Sequence, residues 1–202
     1  MKVIAINGSA RKSGNTSLLI GKVFEELRAE GIECEEIQLA GRSVRGCTAC
    51  RACYETKNGK CIIDDAVNEC IQKMRQADGI LLGSPVYVTD VSAEMKALID
   101  RACLVSRANG NFLRRKAGAA VIAVRRGGAL HAFDTINHFF TIAEMIVVGS
   151  DYWNFAMGRD VGDVLRDDEG VNTMKVLGQN MAWLLQKTVP HHSAPPSPRG
   201  GS

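Results

Sequence analysis

The segment that joins the first apolar run of the chain to its first amphipathic stretch carries the residues of an anion site. Gly8 and Gly14 allow tight turns there, and Arg11 adds a charged hydrogen-bond donor. The same segment offers hydroxyl or amide side chains at Ser9, Asn15, Thr16 and Ser17. A helix that begins near Asn15 points free N–H groups and the positive end of its dipole at the loop. We therefore expect this loop to bind a phosphate group.

The loop differs from the two common nucleotide-binding motifs. It matches neither G-x-x-x-x-G-K-[ST] nor G-x-G-x-x-G, because Lys12 does not follow a second glycine in the way the ATPase motif requires. ATP hydrolysis and standard dinucleotide binding therefore lose support. The absence of a dedicated magnesium ligand fits a phosphate monoester bound without metal. The alternative is an ordinary Gly/Ser connection that only caps the helix.

A cluster of cysteines is the second feature with chemical potential. Four of the seven cysteines fall within fifteen residues at the spacing C-x2-C-x2-C-x7-C, at Cys47, Cys50, Cys53 and Cys61. Thiolates at such a spacing can hold an iron–sulfur cluster or a tetrahedral zinc ion. The alternative is a cysteine-lined loop that covers the edge of the sheet or orders an oligomer interface. Without an export signal, we expect thiols, metal ligands or redox groups rather than structural disulfides.

Strand and helix patterns alternate along the chain and must position these loops. Apolar runs predict five strands, at residues 2–6, 33–39, 79–83, 117–124 and 145–148. Helical spacing between them indicates a parallel sheet with helices on both faces. We expect an α/β three-layer sandwich of the flavodoxin-like type, with a five-stranded parallel sheet in the order 2-1-3-4-5. This order places a ligand beyond the carboxyl ends of strands 1 and 3.

Length and composition fit one domain over residues 1–188, which includes a cysteine-rich loop at 42–61. Residues 189–202 are rich in Pro, Ser and Gly, and we expect a disordered tail there. The net charge of +3 is too small to indicate a nucleic-acid partner. No apolar run approaches the ~20 residues of a membrane helix, and the N-terminus lacks signal-peptide features. We therefore expect a cytoplasmic protein without a membrane partner.

The pattern G-S-x-R-x-x-G-N-T-S at residues 8–17 resembles the NAD(P)H-dependent FMN reductases and multimeric flavodoxins. Two further segments carry the resemblance, namely G-S-P-x-Y at residues 83–87 and M-K-x-x-x-D-R at residues 95–101. The likeness covers essentially residues 1–188. It implies the flavodoxin-like fold and a bound FMN. The FMN phosphate would be bound by Ser9, Arg11, Asn15, Thr16 and Ser17.

The resemblance also implies a site for the flavin ring after the third strand. Pro85, Val86 and Tyr87 would form its wall, and the backbone N–H groups from Val86 to Val88 would bind the ring edge. No catalytic side chain is required, because the flavin itself carries the chemistry.

A third loop, after the fourth strand, would lie beside the pyrimidine side of the flavin. It carries Arg125, Arg126 and Gly127. The arginines would either stabilise negative charge on the reduced flavin or bind the phosphate of a pyridine nucleotide. Both interpretations stay open at this point.

The cysteine spacing resembles the compact motif of iron–sulfur flavoproteins, which carry one [4Fe-4S] cluster beside FMN on this fold. One hypothesis is therefore an FMN-dependent NAD(P)H oxidoreductase that reduces a small acceptor: flavin, quinone, nitro or azo compound, or metal. A second is an electron-transfer iron–sulfur flavoprotein with a ferredoxin-like partner, and a third is a flavin-free structural or regulatory protein. The resemblance implies a homodimer or homotetramer for the flavoprotein hypotheses.

Overall fold

The computed structural model describes residues 1–189, so residues 190–202 of the expected tail lie outside the described part. The strands are β1 (Lys2–Asn7), β2 (Glu33–Gln38), β3 (Gly79–Pro85), β4 (Ala117–Val124), β5 (Ile146–Val147) and β6 (Phe155–Met157). The helices are α1 (Asn15–Ala29), α2 (Ala52–Thr56), α3 (Ala66–Gln76), α4 (Ala93–Ala108), α5 (Ala129–Ile142) and α6 (Asp168–Thr188). A short 3₁₀ helix, Asp163–Arg166, precedes α6.

The sheet confirms the predicted flavodoxin-like topology. All its named strand pairs are parallel, and the order is β2-β1-β3-β4-β5. It differs from the prediction in having six strands, because β5 and β6 share the fifth position. β5 pairs with the start of β4, and β6 pairs with its end. Between them the chain leaves the sheet at Gly149, and the Ser150 hydroxyl donates instead to the carbonyl of Thr173.

Burial on both faces explains why the central strands have continuous apolar sequences. Every residue of β4 is buried, and so are the last five residues of β1. One core layer lies between the sheet and helices α3, α4 and α5, and a second lies between the sheet and helices α1 and α6. The edge strand β2 is the exception, since its Glu35 forms ion pairs with Lys2 and Lys73.

The cysteine-rich segment is not a plain loop, because the short helix α2 forms inside it. Three residues other than glycine take left-handed backbone conformations around α2, at Ala49, Arg51 and Lys57. Such conformations cost about 1–2 kcal/mol each, so the surrounding structure must hold them.

None of the helices within residues 1–189 is long and apolar enough to cross a membrane.

Candidate functional site

The β1–α1 turn lies against β3 and the start of α4, at the point where the strand order reverses. The N–H of Gly8 donates to the carbonyl of Gly83 at 2.8 Å, which joins the turn to β3. A Cβ at Gly8 would lie 2.8 Å from Ser92 Oγ and 3.0 Å from the Cβ of Met95. Only glycine therefore lets the turn approach α4 this closely.

The N-terminus of α1 has no side-chain cap, unlike those of α3, α4 and α6. Asp65, Ser92 and Asp167 cap α3, α4 and α6 through hydrogen bonds to backbone N–H groups. The residue before α1 is Gly14, which has no side chain and therefore offers no hydrogen-bond acceptor to the first N–H groups of the helix. The first N–H groups of α1 thus stay available to an anion, as the sequence predicted.

Thr16 gives the most direct sign of a missing ligand. Its side chain is buried, and its Oγ1 finds no hydrogen-bond partner within residues 1–189. A buried polar atom without a partner costs about 1–3 kcal/mol. Thr16 lines an open cavity together with Ser9, Arg11, Asn15, Pro85, Val86, Tyr87, Ala123, Arg125, Gly158 and Arg159. A phosphate oxygen in this cavity would supply the acceptor that the hydroxyl lacks.

Three arginines make this cavity positive. Arg11, Arg125 and Arg159 line it, and none of them forms an ion pair within the described residues 1–189. Such a group attracts an anionic ligand. Sequence reasoning missed Arg159, because nothing in its local sequence connects it to the phosphate loop.

Two residues of the phosphate loop have roles that differ from those predicted. The Asn15 side chain donates to the carbonyls of Gly158 and Asp160 and accepts from the N–H of Gly162, so it positions a neighbouring loop. The Ser17 hydroxyl donates to Glu36 Oε2 at 3.0 Å, and Ser17 is not among the residues that line the cavity. Only the backbone N–H of Ser17 therefore remains for an anion.

Pro85, Val86 and Tyr87 line the cavity as an apolar wall, but most of the expected backbone donors are already used. The N–H of Val86 donates to the carbonyl of Ala123 at 3.1 Å, and that of Tyr87 donates to the carbonyl of Asp90 at 2.8 Å. For the N–H of Val88 no partner is found in the described chain. The sequence overestimated this donor set, because β4 takes the N–H of Val86 and the tight turn after β3 takes that of Tyr87.

The third loop contributes one residue to the cavity rather than three. All three residues are exposed, but only Arg125 lines the cavity, and Arg126 and Gly127 lie outside the lining. Gly128 instead packs on the turn after β3, where a Cβ would lie 2.8 Å from the Cα of Thr89. Gly128 therefore allows close contact between the third loop and the turn after β3.

The four predicted cysteine ligands lie around one cavity. Cys47, Cys50, Cys53 and Cys61 line a space of about 520 Å³ beside α4, and all four are free thiols. Hydrogen bonds from the N–H of Ala52 and from Thr48 hold the pKa of Cys50 below its ordinary value. Burial raises the pKa of Cys53. The N–H of Ala49 donates to the sulfur of Cys47 at 3.4 Å.

These thiols surround a space without converging on one point. Within residues 1–189, no group of three or more His, Cys, Asp or Glu side chains is arranged to hold a metal ion. A single zinc ion needs ligands that meet at one centre, so the arrangement does not suit zinc. An iron–sulfur cluster lies between four separated thiolates, and a shared cavity with an N–H donor to sulfur suits it.

The topology, the phosphate loop and the apolar wall at the switch point define a flavodoxin-like α/β protein. The sequence profile of the NADPH-dependent FMN reductase family matches residues 1–160. The chain therefore belongs to this family and is a flavin-dependent oxidoreductase that binds FMN.

Similar proteins agree with this assignment. An iron–sulfur flavoprotein of Methanocaldococcus jannaschii is 43% identical over 193 residues, which cover 92% of this chain and 98% of that protein. An iron–sulfur flavoprotein of Methanosarcina thermophila is 38% identical over 170 residues, which cover 80% and 87%. The structure of a flavodoxin from the domain Archaea has a TM-score of 0.60 at 17% identity, covering 92% of this chain and 99% of that chain. At that identity the structure supports the fold alone.

Proposed function

We propose that the protein is an electron-transfer flavoprotein that holds FMN at the β1–α1 turn and a [4Fe-4S] cluster at the cysteine cavity. The four cysteine ligands would be Cys47, Cys50, Cys53 and Cys61. The observation that carries the proposal is that all four thiols line one cavity. The names of the two archaeal relatives, which match most of the chain, support it.

The contacts at the proposed FMN site support a separate role for each group of residues. The first N–H groups of α1, the Thr16 hydroxyl and the Arg11 guanidinium would bind the phosphate. Pro85 and Tyr87 would lie against the ring and keep water from one side of it. When bound, FMN supplies a group that accepts a hydride and releases electrons one at a time.

The cluster site lies on the same helix as the flavin site, but further along it. Ser92 caps α4 beside the phosphate loop, and Arg101 lines the cysteine cavity nine residues later. At 1.5 Å per residue the two positions are roughly 14 Å apart along the helix axis. Because Cys47 and Cys50 are exposed, a cluster bound there would lie near the surface, where a ferredoxin-like protein could exchange single electrons.

A second candidate is direct reduction of a small acceptor by NAD(P)H. The description of the matched family supports it, and so does the cavity, where Arg125 and Arg159 stand as unpaired cations at the rim among the described residues. Cations in this position would attract the phosphates of a pyridine nucleotide. The two candidates share the FMN site and differ in whether the cysteines hold a cluster.

Quantification of flavin, iron and acid-labile sulfide in anaerobically purified protein tests the proposal. We expect one FMN and about four irons per chain. Cys50→Ser should lose most of the iron and keep the flavin. Cys103→Ser, at a cysteine that does not line the cavity, should keep both. Flavin without iron in the wild-type protein, together with rapid bleaching by NADPH, would favour the second candidate.

The FMN assignment has its own test. Replacing both cavity groups, Arg11→Ala with Thr16→Ala, should release FMN while the fold survives. Each lost charged hydrogen bond costs roughly 1.5–3 kcal/mol. Circular dichroism would monitor folding, and a double variant that purifies with stoichiometric FMN would contradict the phosphate assignment.

A further inference from the structure

Arg101 is a fully buried guanidinium at the inner wall of the cysteine cavity. Its side chain is 0% exposed, although arginine is rarely buried completely. Nε donates to the sulfur of Cys61 at 3.2 Å, while Nη1 reaches both carboxylate oxygens of Asp65 at 2.7 and 2.8 Å. Two further bonds reach the carbonyls of Arg45 at 3.0 Å and Ile63 at 2.7 Å. The side-chain partners of Arg101 among the described residues thus all lie between Arg45 and Asp65, in the segment that carries the four cysteines and in the residues that lead from it to α3.

These bonds hold the cysteine-rich segment at both ends. Arg45 lies two residues before the first cysteine, and Ile63 lies two residues after the last. The Arg101 side chain, on helix α4, therefore holds the segment at one point just before its first cysteine and at another just after its last. The segment contains left-handed residues that would not persist without such anchoring.

The charge of Arg101 is already balanced by Asp65, whose side chain is 2% exposed. The Nε–H bond to Cys61 is therefore not needed to neutralise the arginine. It is instead a fixed donor aimed at one thiol of the cavity. Hydrogen bonds to ligand sulfurs help to set the reduction potential of an iron–sulfur cluster, and residues behind the ligands orient them.

We propose that Arg101 is a positioning residue that fixes Cys61 as a cluster ligand and, through its Nε–H bond to the sulfur, raises the reduction potential of the cluster. This inference rests on the proposed function, because it requires the cluster. It goes beyond that function because it assigns a separate role to a buried residue that does not line the flavin cavity, which is the cavity at the β1–α1 turn lined by Thr16 and Tyr87.

Arg101→Lys separates this role from a merely structural ion pair. Lysine keeps the positive charge beside Asp65 but loses the planar set of donors that reaches Cys61 and the two carbonyls at once. Asp100→Asn is the matched control, because Asp100 is the neighbouring charged residue, is exposed and pairs with Lys96. FMN content reports on folding, since the flavin cavity and the cysteine cavity share no lining residue.

The experiment is a redox titration of the cluster, followed by electron paramagnetic resonance, in FMN-loaded wild-type and variant proteins. We expect the Arg101→Lys protein to keep FMN. It should either lose iron or hold a cluster whose ratio of reduced to oxidised form, at a fixed potential, is about tenfold lower than in the wild type. For one electron, that factor corresponds to a shift of about 59 mV to lower potential. Asp100→Asn should match the wild type in both quantities.

An Arg101→Lys protein with wild-type iron content and potential would overturn this inference and leave the proposed function standing. A wild-type protein that takes up no iron would overturn both. If Arg101→Lys does not fold, the wild-type protein carries the test, with ¹⁵N-labelled arginine and pulsed resonance on the reduced cluster. A weak coupling to one arginine nitrogen supports the Nε–H bond to sulfur, and its absence overturns it.

Discussion

Asn15 Oδ1 accepts a hydrogen bond of 2.8 Å from the backbone N–H of Gly162, which lies 147 residues further along the chain. The amide nitrogen of the same side chain donates to the carbonyls of Gly158 at 3.3 Å and Asp160 at 3.0 Å. The first residue of α1 thus holds the loop at residues 158–162, which brings Arg159 to the flavin cavity. The cavity proposed to bind the phosphate is therefore lined by residues of the β1–α1 turn and of the loop at residues 158–162.

The first prediction is that Asn15→Ala weakens FMN binding without unfolding the protein. The variant removes three hydrogen bonds that hold the loop at residues 158–162, so Arg159 loses its fixed position. Each such bond contributes roughly 0.5–1.5 kcal/mol to holding the loop. The effect on FMN binding is indirect, because it acts through the position of Arg159. We expect the dissociation constant of FMN, measured by quenching of its fluorescence, to rise about tenfold.

Asn180→Ala is the control for this prediction. Asn180 also donates its side-chain amide to a backbone carbonyl, that of Gly149 at 3.0 Å, but on the surface away from the cavity. Its substitution should leave FMN affinity within about twofold of the wild type, as expected for an exposed surface change. Equal effects of the two variants would show that Asn15 does not position the loop for binding.

The second prediction is that Thr16→Val has opposite effects on the empty and the FMN-loaded protein. Valine has nearly the shape of threonine but lacks the buried hydroxyl that has no partner in the described chain. Removing an unsatisfied buried group should stabilise the apoprotein by about 1 kcal/mol. It should also weaken FMN binding by about tenfold, because the phosphate loses a donor. Urea unfolding of the apoprotein and FMN titration measure the two effects.

Thr173→Val separates this behaviour from a general effect of losing a hydroxyl. Thr173, on α6, is also buried, but it does not line the cavity and is not among the described buried side chains that lack a hydrogen-bond partner. Its substitution should destabilise the apoprotein and leave FMN affinity unchanged. If Thr16→Val destabilised the apoprotein as much, the Thr16 hydroxyl would have a partner within the protein, and our account of the site would be wrong.

The third prediction distinguishes two adjacent arginines. Arg125 lines the flavin cavity, whereas Arg126 is exposed outside it. Arg125→Ala should weaken FMN binding about tenfold at low ionic strength, and Arg126→Ala by less than about twofold. The difference should shrink as salt is added, because salt screens charges near the surface. A larger loss for Arg126→Ala at any salt concentration would mean that the third loop binds flavin in another arrangement.

Local sequence predicted the parts of this protein that depend on local geometry. The order of the strands follows from alternation and right-handed crossovers and is confirmed, and the uncapped turn into α1 follows from Gly8, Gly14 and the helix that begins at Asn15. The four clustered cysteines, predicted as metal ligands from their spacing, line one cavity, and their role as ligands stays a prediction. In the turn into α1 and in the cysteine cluster, the residues that act together are close in the chain.

What the sequence did not predict depends on packing between distant segments. Arg159 reaches the flavin cavity only because a side chain on α1 holds its loop. The hydroxyl of Ser17 turns away to Glu36, because the edge strand β2 brings an acid to that face of α1. The Nε–H of Arg101 bonds Cys61, a residue 40 positions away in the chain. None of these contacts leaves a periodic signal in the sequence.

The last prediction concerns the pH dependence of stability, through the buried pair of Asp65 and Arg101. Burial raises the pKa of Asp65, but hydrogen bonds from the Arg101 guanidinium and from the N–H groups of Arg45 and Val67 outweigh it and hold the pKa below its ordinary value. A carboxyl group with a lowered pKa stabilises the fold at pH values above its unfolded pKa of about 3.9. That stabilisation is lost as the pH falls through the folded pKa. The wild-type protein should therefore lose stability below about pH 4.

Asp65→Asn tests this prediction, because asparagine can still cap α3 and only the charge is lost. The free energy of unfolding near neutral pH should fall by about 3–5 kcal/mol, since Arg101 is left as a buried charge without its counter-ion. The remaining stability should depend less on acid than that of the wild type, since the group that titrates is gone. Asp100→Asn, at an exposed pair, should change stability by less than about 1 kcal/mol and keep the wild-type acid dependence. A parallel acid dependence in Asp65→Asn and wild type would mean that other carboxyl groups carry it, and that the buried pair contributes little to folding.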